Sequence, residues 1–306
     1  MKIRNLMLAM ITTLLLNSIQ PLVHAENYSV GTWKTAQTIQ PFNYGEGVEV
    51  KPFTNPGDMK TALLSEDLDF TGTTWVTAIM AYANGEPIKV VASMTEKCSA
   101  LVVGQESGIE KVEDLKGKTI AYVPGTMHHL LLLETLDRAG LSPEKDVSLV
   151  NIDFFDMGQA LASGSIDAFL SGEPYPSMAE IDGYGKVLEY PYYEESYGFL
   201  NAAMITTDKE IKENPDKIQA LVNMHVESTK DLMENKEKWV EMAAEFGTEE
   251  NYIEKSTENI DLSWDISEEQ ISQLEYLAQR MHELGMIETV PEISEMLDLT
   301  FLEKVS

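Results

Sequence analysis

The sequence predicts an α/β protein built from two successive strand–helix units joined by two extended crossings. Three patterns predict it. Strands and helices alternate over 28–138, the alternation starts again after Leu101-Val102-Val103, and an extended apolar run over 198–205 precedes a helical C-terminal part. Alternation of this kind argues for mostly parallel sheets with helices on both faces. A chain of 306 residues with 43% hydrophobic content has enough apolar surface for one large domain or two lobes.

The elements follow from local composition. Residues 28–31 read as a strand, and 35–43 accommodate one short helix before Gly45 and Gly47 break it. Apolar and polar residues alternate over 48–53, the period of a half-buried strand. Asn55-Pro56-Gly57-Asp58 is a turn that caps a helix over 59–64. A strand over 68–71, a helix over 75–83, the Asn84-Gly85 turn and a buried strand over 88–92 complete the first unit.

In the second unit the strands are expected at 119–123, 147–152 and 168–170, with helices at 127–139, 157–162 and 175–181. From Asp208 onward the pattern is purely helical. Asn214-Pro215 starts one helix, with Pro at the first helical position. Ser267-Glu268-Glu269-Gln270 is a capping box ahead of another, which Gly285 stops. The crossings, and with them hinge motion, are expected near 101–103 and 202–205. Residues 26–102 and 204–306 then form lobe 1, and 103–203 form lobe 2.

Residues 1–25 are expected to be a secretory signal. Lys2 and Arg4 precede the apolar run over 6–16, and Val23-His24-Ala25 offers small residues for cleavage after Ala25. The run is shorter than the ~20 residues of a spanning helix. The mature protein is therefore expected to be periplasmic or extracellular, without direct membrane insertion.

The formal charge is −29, and near −31 once Lys2 and Arg4 leave with the signal. Such a surface repels nucleic acid and anionic lipid. It also means that an anionic ligand needs a local set of donors. Cys98 is the only cysteine, which excludes an internal disulfide and metal sites built on cysteine pairs.

Four blocks resemble solute-binding proteins of ABC importers. They are Leu63-Leu64-Ser65-Glu66-Asp67-Leu68-Asp69-Phe70, Val112-Glu113-Asp114-Leu115-Lys116-Gly117-Lys118-Thr119-Ile120, Ala160-Leu161-Ala162-Ser163-Gly164-Ser165-Ile166-Asp167-Ala168 and Gly172-Glu173-Pro174-Tyr175. The resemblance runs through essentially the whole mature chain. It is to the nitrate, taurine and aliphatic-sulfonate branch, which also holds binders of thiamine-pyrimidine precursors and of riboflavin. It implies the type II periplasmic-binding-protein fold: two α/β lobes, two crossover strands and a ligand cleft between them. It also implies a monomer that closes on a small-molecule solute and delivers it to ABC permease membrane subunits, with no cofactor and no catalysis. Within the repeated blocks, Asp69 and Asp167 read as structural turn residues.

Ligands of open α/β sheets sit beyond the carboxyl ends of the strands. That rule selects Trp33, Thr73, Thr74, Trp75, Ser93 and Cys98 from the first unit. From the second it selects Thr126, Met127, His128, Glu173, Tyr175 and Asn201. The two Trp supply flat apolar walls. The turn through Gly125 and Thr126 opens a helix whose first N–H groups suit an anion or polar head. Glu173 matches the Glu of the family's motif, which in relatives lines the cleft and can meet an amino group. That match predicts a ligand with an N–H donor or cationic portion.

A sulfonate or taurine-like compound, a thiamine-pyrimidine precursor and a riboflavin-type ligand all remain open. His128 and His129 point about 100° apart on a helix and cannot easily share one metal ion. Thiamine-pyrimidine synthases resemble the family too, but they carry a cysteine-rich iron motif that this chain lacks. No catalytic triad, carboxylate pair or phosphate loop stands out in support of an enzyme.

Overall fold

The computed structural model describes residues 28–194 and 196–305, so the expected signal lies outside the described residues. In chain order the first unit holds β1 (Tyr28–Thr32), β2 (Val48–Pro52), α1 (Pro56–Leu64), β3 (Phe70–Thr74), α2 (Trp75–Ala83) and β4 (Ile88–Lys97). The second holds β5 (Ser99–Gly104), β6 (Thr119–Tyr122), α3 (Met127–Arg138), β7 (Ser148–Asn151), α4 (Phe154–Ala162), β8 (Ala168–Gly172), α5 (Tyr175–Ile181) and β9 (Gly185–Glu189). The chain then returns through β10 (Leu200–Thr207), α6 (Asp208–Glu213), α7 (Pro215–Glu234), α8 (Lys236–Ala244), α9 (Glu250–Ser256), β11 (Ile260–Leu262), α10 (Glu268–Glu283) and α11 (Ile293–Met296).

Two sheets result, ordered β11-β4-β10-β3-β1-β2 and β7-β6-β8-β5-β9. Both are mixed, where the strand–helix alternation predicted mostly parallel sheets. The βα units pair in parallel (β1 with β2 and β3, β6 with β7 and β8). The strands that leave one sheet or arrive in the other, β4, β5 and β10, pair antiparallel with their neighbours. A chain that crosses out and returns must reverse direction, and alternation alone does not reveal this.

The crossings also fall elsewhere than expected. Leu101-Val102-Val103 is the buried centre of β5, wholly inside the second sheet, and 202–205 is the buried centre of β10, wholly inside the first. The passages between sheets are Lys97-Cys98 and, among the described residues, 190–194 and 196–199. An apolar run marks a central strand; the turn itself is marked by backbone conformation. Lys97 and Cys98 have φ of 60° and 72°, left-handed values that cost a residue with a Cβ about 1–2 kcal/mol. The Lys97 N–H donates to Phe199 O (2.8 Å), and the Cys98 N–H donates to Asn259 O (2.8 Å).

Two further differences are local. Residues 35–43 form two short 3₁₀ turns, 36–38 and 40–43, not one helix. The C-terminal part is not purely helical, because β11 adds to the edge of the first sheet beside β4. The capping box at Ser267 and Gln270 is present, with both reciprocal bonds formed. Asp69 and Asp167 do equivalent work in the two units: Asp69 accepts the Ser29 N–H and Asp167 the Thr119 N–H, each at 2.8 Å. One core cluster draws on both units, with Ile79, Ile205 and Leu277 from one side and Leu101, Leu130 and Leu170 from the other.

Candidate functional site

A cleft between the two sheets holds about 640 Å³ of space, part of it open to solvent. Eight of the residues selected from the sequence line it: Trp33, Thr74, Cys98, Thr126, His128, Glu173, Tyr175 and Asn201. Four do not, and the reason is geometric in each case. Successive strand residues face opposite sides, so Thr74 meets the cleft and Thr73 is buried behind it. Trp75 and Met127 open α2 and α3 with their side chains fully buried in the shared core. Ser93 is an interior residue of β4, which runs five residues beyond the expected strand end.

The cleft also takes residues the strand-end selection missed. Thr35, Gln37 and Thr38 come from the first 3₁₀ turn region, Thr54 and Pro56 from the start of α1, and Phe154 and Phe155 from the start of α4. Phe154 and Phe155 follow the carboxyl end of β7, so the same strand-end rule would have found them. Gln37 had no signal, because a helix was expected there.

Apart from Glu173, the polar side chains of the wall carry no formal charge. Thr126 caps α3: its Oγ1 accepts the His129 N–H (3.3 Å) and donates to Val123 O (2.8 Å). The first amides of α3 have no acceptor within the helix, and the cap residue Thr126 itself lines the cleft. Thr74 caps α2 in the same way, accepting the Thr77 N–H at 3.2 Å.

Behind this wall runs a relay. Asn201 Nδ2 donates to Ser99 Oγ (3.4 Å), and Ser99 Oγ lies 3.0 Å from His128 Nδ1. The Ser99 hydroxyl can accept from Asn201 and give its own proton to Nδ1, and in that tautomer Nε2–H of His128 is left as a donor. Burial pushes the imidazole pKa down to about 4, so the ring is neutral. Ser171 Oγ and Gln37 Oε1 are buried with no hydrogen-bond partner among the described residues, and both residues line the cleft.

Glu173 stands differently from its sequence reading. One carboxylate oxygen accepts the Ser177 N–H and the other accepts Asn259 Nδ2, each at 3.1 Å. Burial raises its pKa above the ordinary carboxylate value. Its backbone is tied as well, since its carbonyl accepts Gln37 Nε2 (2.8 Å) and its N–H donates to Cys98 O (2.9 Å). Glu173 thus fastens the second sheet to the 3₁₀ turn and to the segment ahead of β11. No Lys or Arg is found among the described residues that line the cleft.

The apolar wall is aromatic: Trp33, Phe154, Phe155 and Tyr175. Phe154 meets the His128 ring edge-on at 5.3 Å, and Phe155 meets Tyr175 edge-on at 6.0 Å. His128 and His129 diverge. His129 accepts the Gly125 N–H through Nδ1 (3.3 Å) and lies against Tyr122. Among the described residues no group of three or more His, Cys, Asp or Glu could hold a metal ion, and no helix is long and apolar enough to cross a membrane.

Comparison with known proteins gives a consistent frame. The family model described as "NMT1/THI5 like" matches residues 44–238. A protein of Escherichia coli (strain K12) named for binding aliphatic sulfonates is 29% identical over 165 residues, 48% of this chain and 51% of that one. One of Bacillus subtilis (strain 168), named the same way, is 26% identical over 270 residues, 85% of this chain and 79% of that one. The chain thus spans about half the length of the first relative and most of the second. Among solved structures, the alkanesulfonate-binding protein SsuA from Xanthomonas axonopodis pv. citri bound to MOPS has a TM-score of 0.77 at 18% identity, covering 90% of this chain and 99% of that one. The desulfurization enzyme DSZB shares the fold at a TM-score of 0.67 and 14% identity, covering 90% of this chain and 97% of that one.

Proposed function

The chain belongs to the NMT1/THI5-like family, and from that premise we propose that it is the solute-binding component of an ABC importer, capturing an organic sulfonate. The observation that carries the reading is one cleft onto which α2 and α3 both open, beside the neutral His128 donor and the unpartnered Ser171 Oγ. Oriented amides and neutral donors hold an anion without a counter-charge. The aromatic wall fits an organic body and leaves a bare inorganic anion most of its surroundings unfilled. The carboxylate of Glu173 is engaged within the protein, which favours an alkyl- or arylsulfonate over an amino-bearing one such as taurine. Relatives named for aliphatic sulfonates support the same class.

The state of the two nucleophiles argues against the enzyme reading. Burial pushes the pKa of the Cys98 thiol well above its ordinary value, and the Ser99 hydroxyl, tied to Asn201 and His128, is fully buried behind the wall. Binding closes the two units on the solute outside the cytoplasmic membrane, and the loaded monomer docks on permease subunits. Thermal-shift screening tests this. Ethanesulfonate should raise the melting temperature by mass action, by about 2.7 kcal/mol of stabilisation at a hundredfold excess over Kd. A flat response to alkyl- and arylsulfonates, or turnover of one of them, overturns the proposal.

A further inference from the structure

The cleft does not end at its aromatic wall. A second, larger hollow of about 1210 Å³, part of it open to solvent, adjoins it and shares Trp33, Thr35, Thr54, Phe155 and Tyr175 with it. Beyond those shared residues it is bounded by Phe53, Met178, Ala243, Phe246 and Ile253. Lys34 is its one charged side chain among the described lining residues. Its far wall comes from α8, α9 and the turn between them.

Two features set this hollow apart from a routine surface depression. Phe155 leaves 62% of its surface exposed at the junction of the two compartments, although it stands on the first turn of α4 where a polar residue would cost nothing. Phe246 is held in place by a ring contact with Phe42 at 4.7 Å, which fixes the far wall. The unpartnered buried polar atoms, Ser171 Oγ and Gln37 Oε1, lie in the inner compartment, whereas the outer one is mostly apolar, with Lys34, Thr35, Thr54 and Thr248 as its polar residues. The buried groups that still lack a hydrogen-bond partner are therefore at the inner end.

We propose that the outer hollow is a second subsite, which takes the apolar tail of the solute whose polar head occupies the inner cleft. The ligand class is then an elongated amphiphile: a sulfonate carrying a straight alkyl chain of several carbons or an aryl group. The occupant is assigned by continuity, because a head seated against His128 and Ser171 has the shared aromatic residues as its way out. The inference rests on the binding role proposed above. It adds that α8 and α9 select for tail length.

Isothermal titration of the purified protein with the straight-chain alkanesulfonates from ethanesulfonate to decanesulfonate tests it. Each methylene buried in the groove should tighten Kd by roughly two- to fourfold, up to the length at which the groove is filled. Thr248→Glu and Met178→Glu each place a charge in the outer hollow, at positions that are only partly buried. Both should abolish the dependence on chain length and leave the Kd of ethanesulfonate within about twofold. Ethanesulfonate binding with a Kd that stays constant along the series overturns the tail subsite and leaves the binding role standing. A chain-length gain that survives both variants places the tail elsewhere and also overturns it. Binding of no member of the series overturns the sulfonate reading, and the tail subsite falls with it.

Discussion

The carboxylate of Glu173 and the carboxamide of Asn259 meet at 3.1 Å across the join between the second sheet and the C-terminal part of the first unit. Asn259 is itself oriented by the Tyr192 hydroxyl, which donates to its Oδ1 at 2.6 Å. Both Glu173 and Asn259 are buried, at 2% and 8% exposure. Removing either partner leaves a largely buried polar group of the other without that bond. Glu173→Ala and Asn259→Ala should each lower unfolding stability by about 1–3 kcal/mol. The double variant should lose less than the sum, with a coupling of at least about 0.5 kcal/mol in urea titrations. Additive losses would mean the pair is a contact without energetic consequence.

The same carboxylate gives a pH dependence with a definite sign. Burial is the largest influence on Glu173 and raises its folded pKa above the ordinary 4.5, against the opposing hydrogen bonds from Ser177 and Asn259. Protonation is thus more favourable in the folded state than in the unfolded chain. Its stabilising effect is complete below about pH 4.5 and is lost as pH rises through the folded pKa. Glu173→Gln cannot ionise, so its stability relative to the native chain should improve steadily as pH rises through that range. A constant difference between the two chains across pH 4–8 would show that Glu173 does not titrate in the folded state.

His128 reverses that sign. Burial lowers its pKa from 6.5 to about 4, so the neutral ring is the folded form. Its contribution to stability is present above pH 6.5 and is lost as pH falls through about 4. The ring carbons should show no titration in NMR between pH 5.5 and 8, and sulfonate affinity should be constant over that interval. His128→Phe keeps the ring's bulk and its contact with Phe154 but removes the donor. It should weaken binding at least tenfold while changing stability less. A titration of His128 near 6.5 would contradict the neutral-donor account.

How much of this was legible beforehand differs by feature. The two αβ units and the eight cleft residues were readable because period and strand-end position are local properties of the sequence. Thr73 against Thr74, and Met127 against His128, were not separated, since a one-residue difference in facing is settled only by the exact start of each helix. The crossings were misplaced because apolar runs at 101–103 and 202–205 advertise burial, whereas the turn at Lys97-Cys98 is a left-handed conformation in residues that rarely adopt it. Glu173 drew attention as an acid in a cleft. Its partner Asn259 is 86 residues away in the chain, so the engagement of its carboxylate had no sequence signal.

Arg280 on α10 also ties the two units together. Its Nε donates to Glu134 Oε2 of α3 at 2.7 Å, and a second nitrogen reaches Asp137 at 2.5 Å. Glu134 is only 4% exposed, and its other oxygen is held by Arg138 at 2.8 Å. Arg280→Ala would leave a buried carboxylate with one of its two guanidinium partners. Because Arg138 remains, the loss should be smaller than for a fully orphaned charge, about 2 kcal/mol. Arg280→Lys keeps the charge but not the planar fork, and should recover less than half of that loss. The tie joins α3 of the second unit to α10 packed on the first, so its removal should also loosen the relation between them. Small-angle scattering of ligand-free Arg280→Ala should give a larger radius of gyration than the native chain, with the difference shrinking on addition of the solute. Equal radii together with an unchanged unfolding midpoint would reduce Arg280 to a surface ion pair of no consequence.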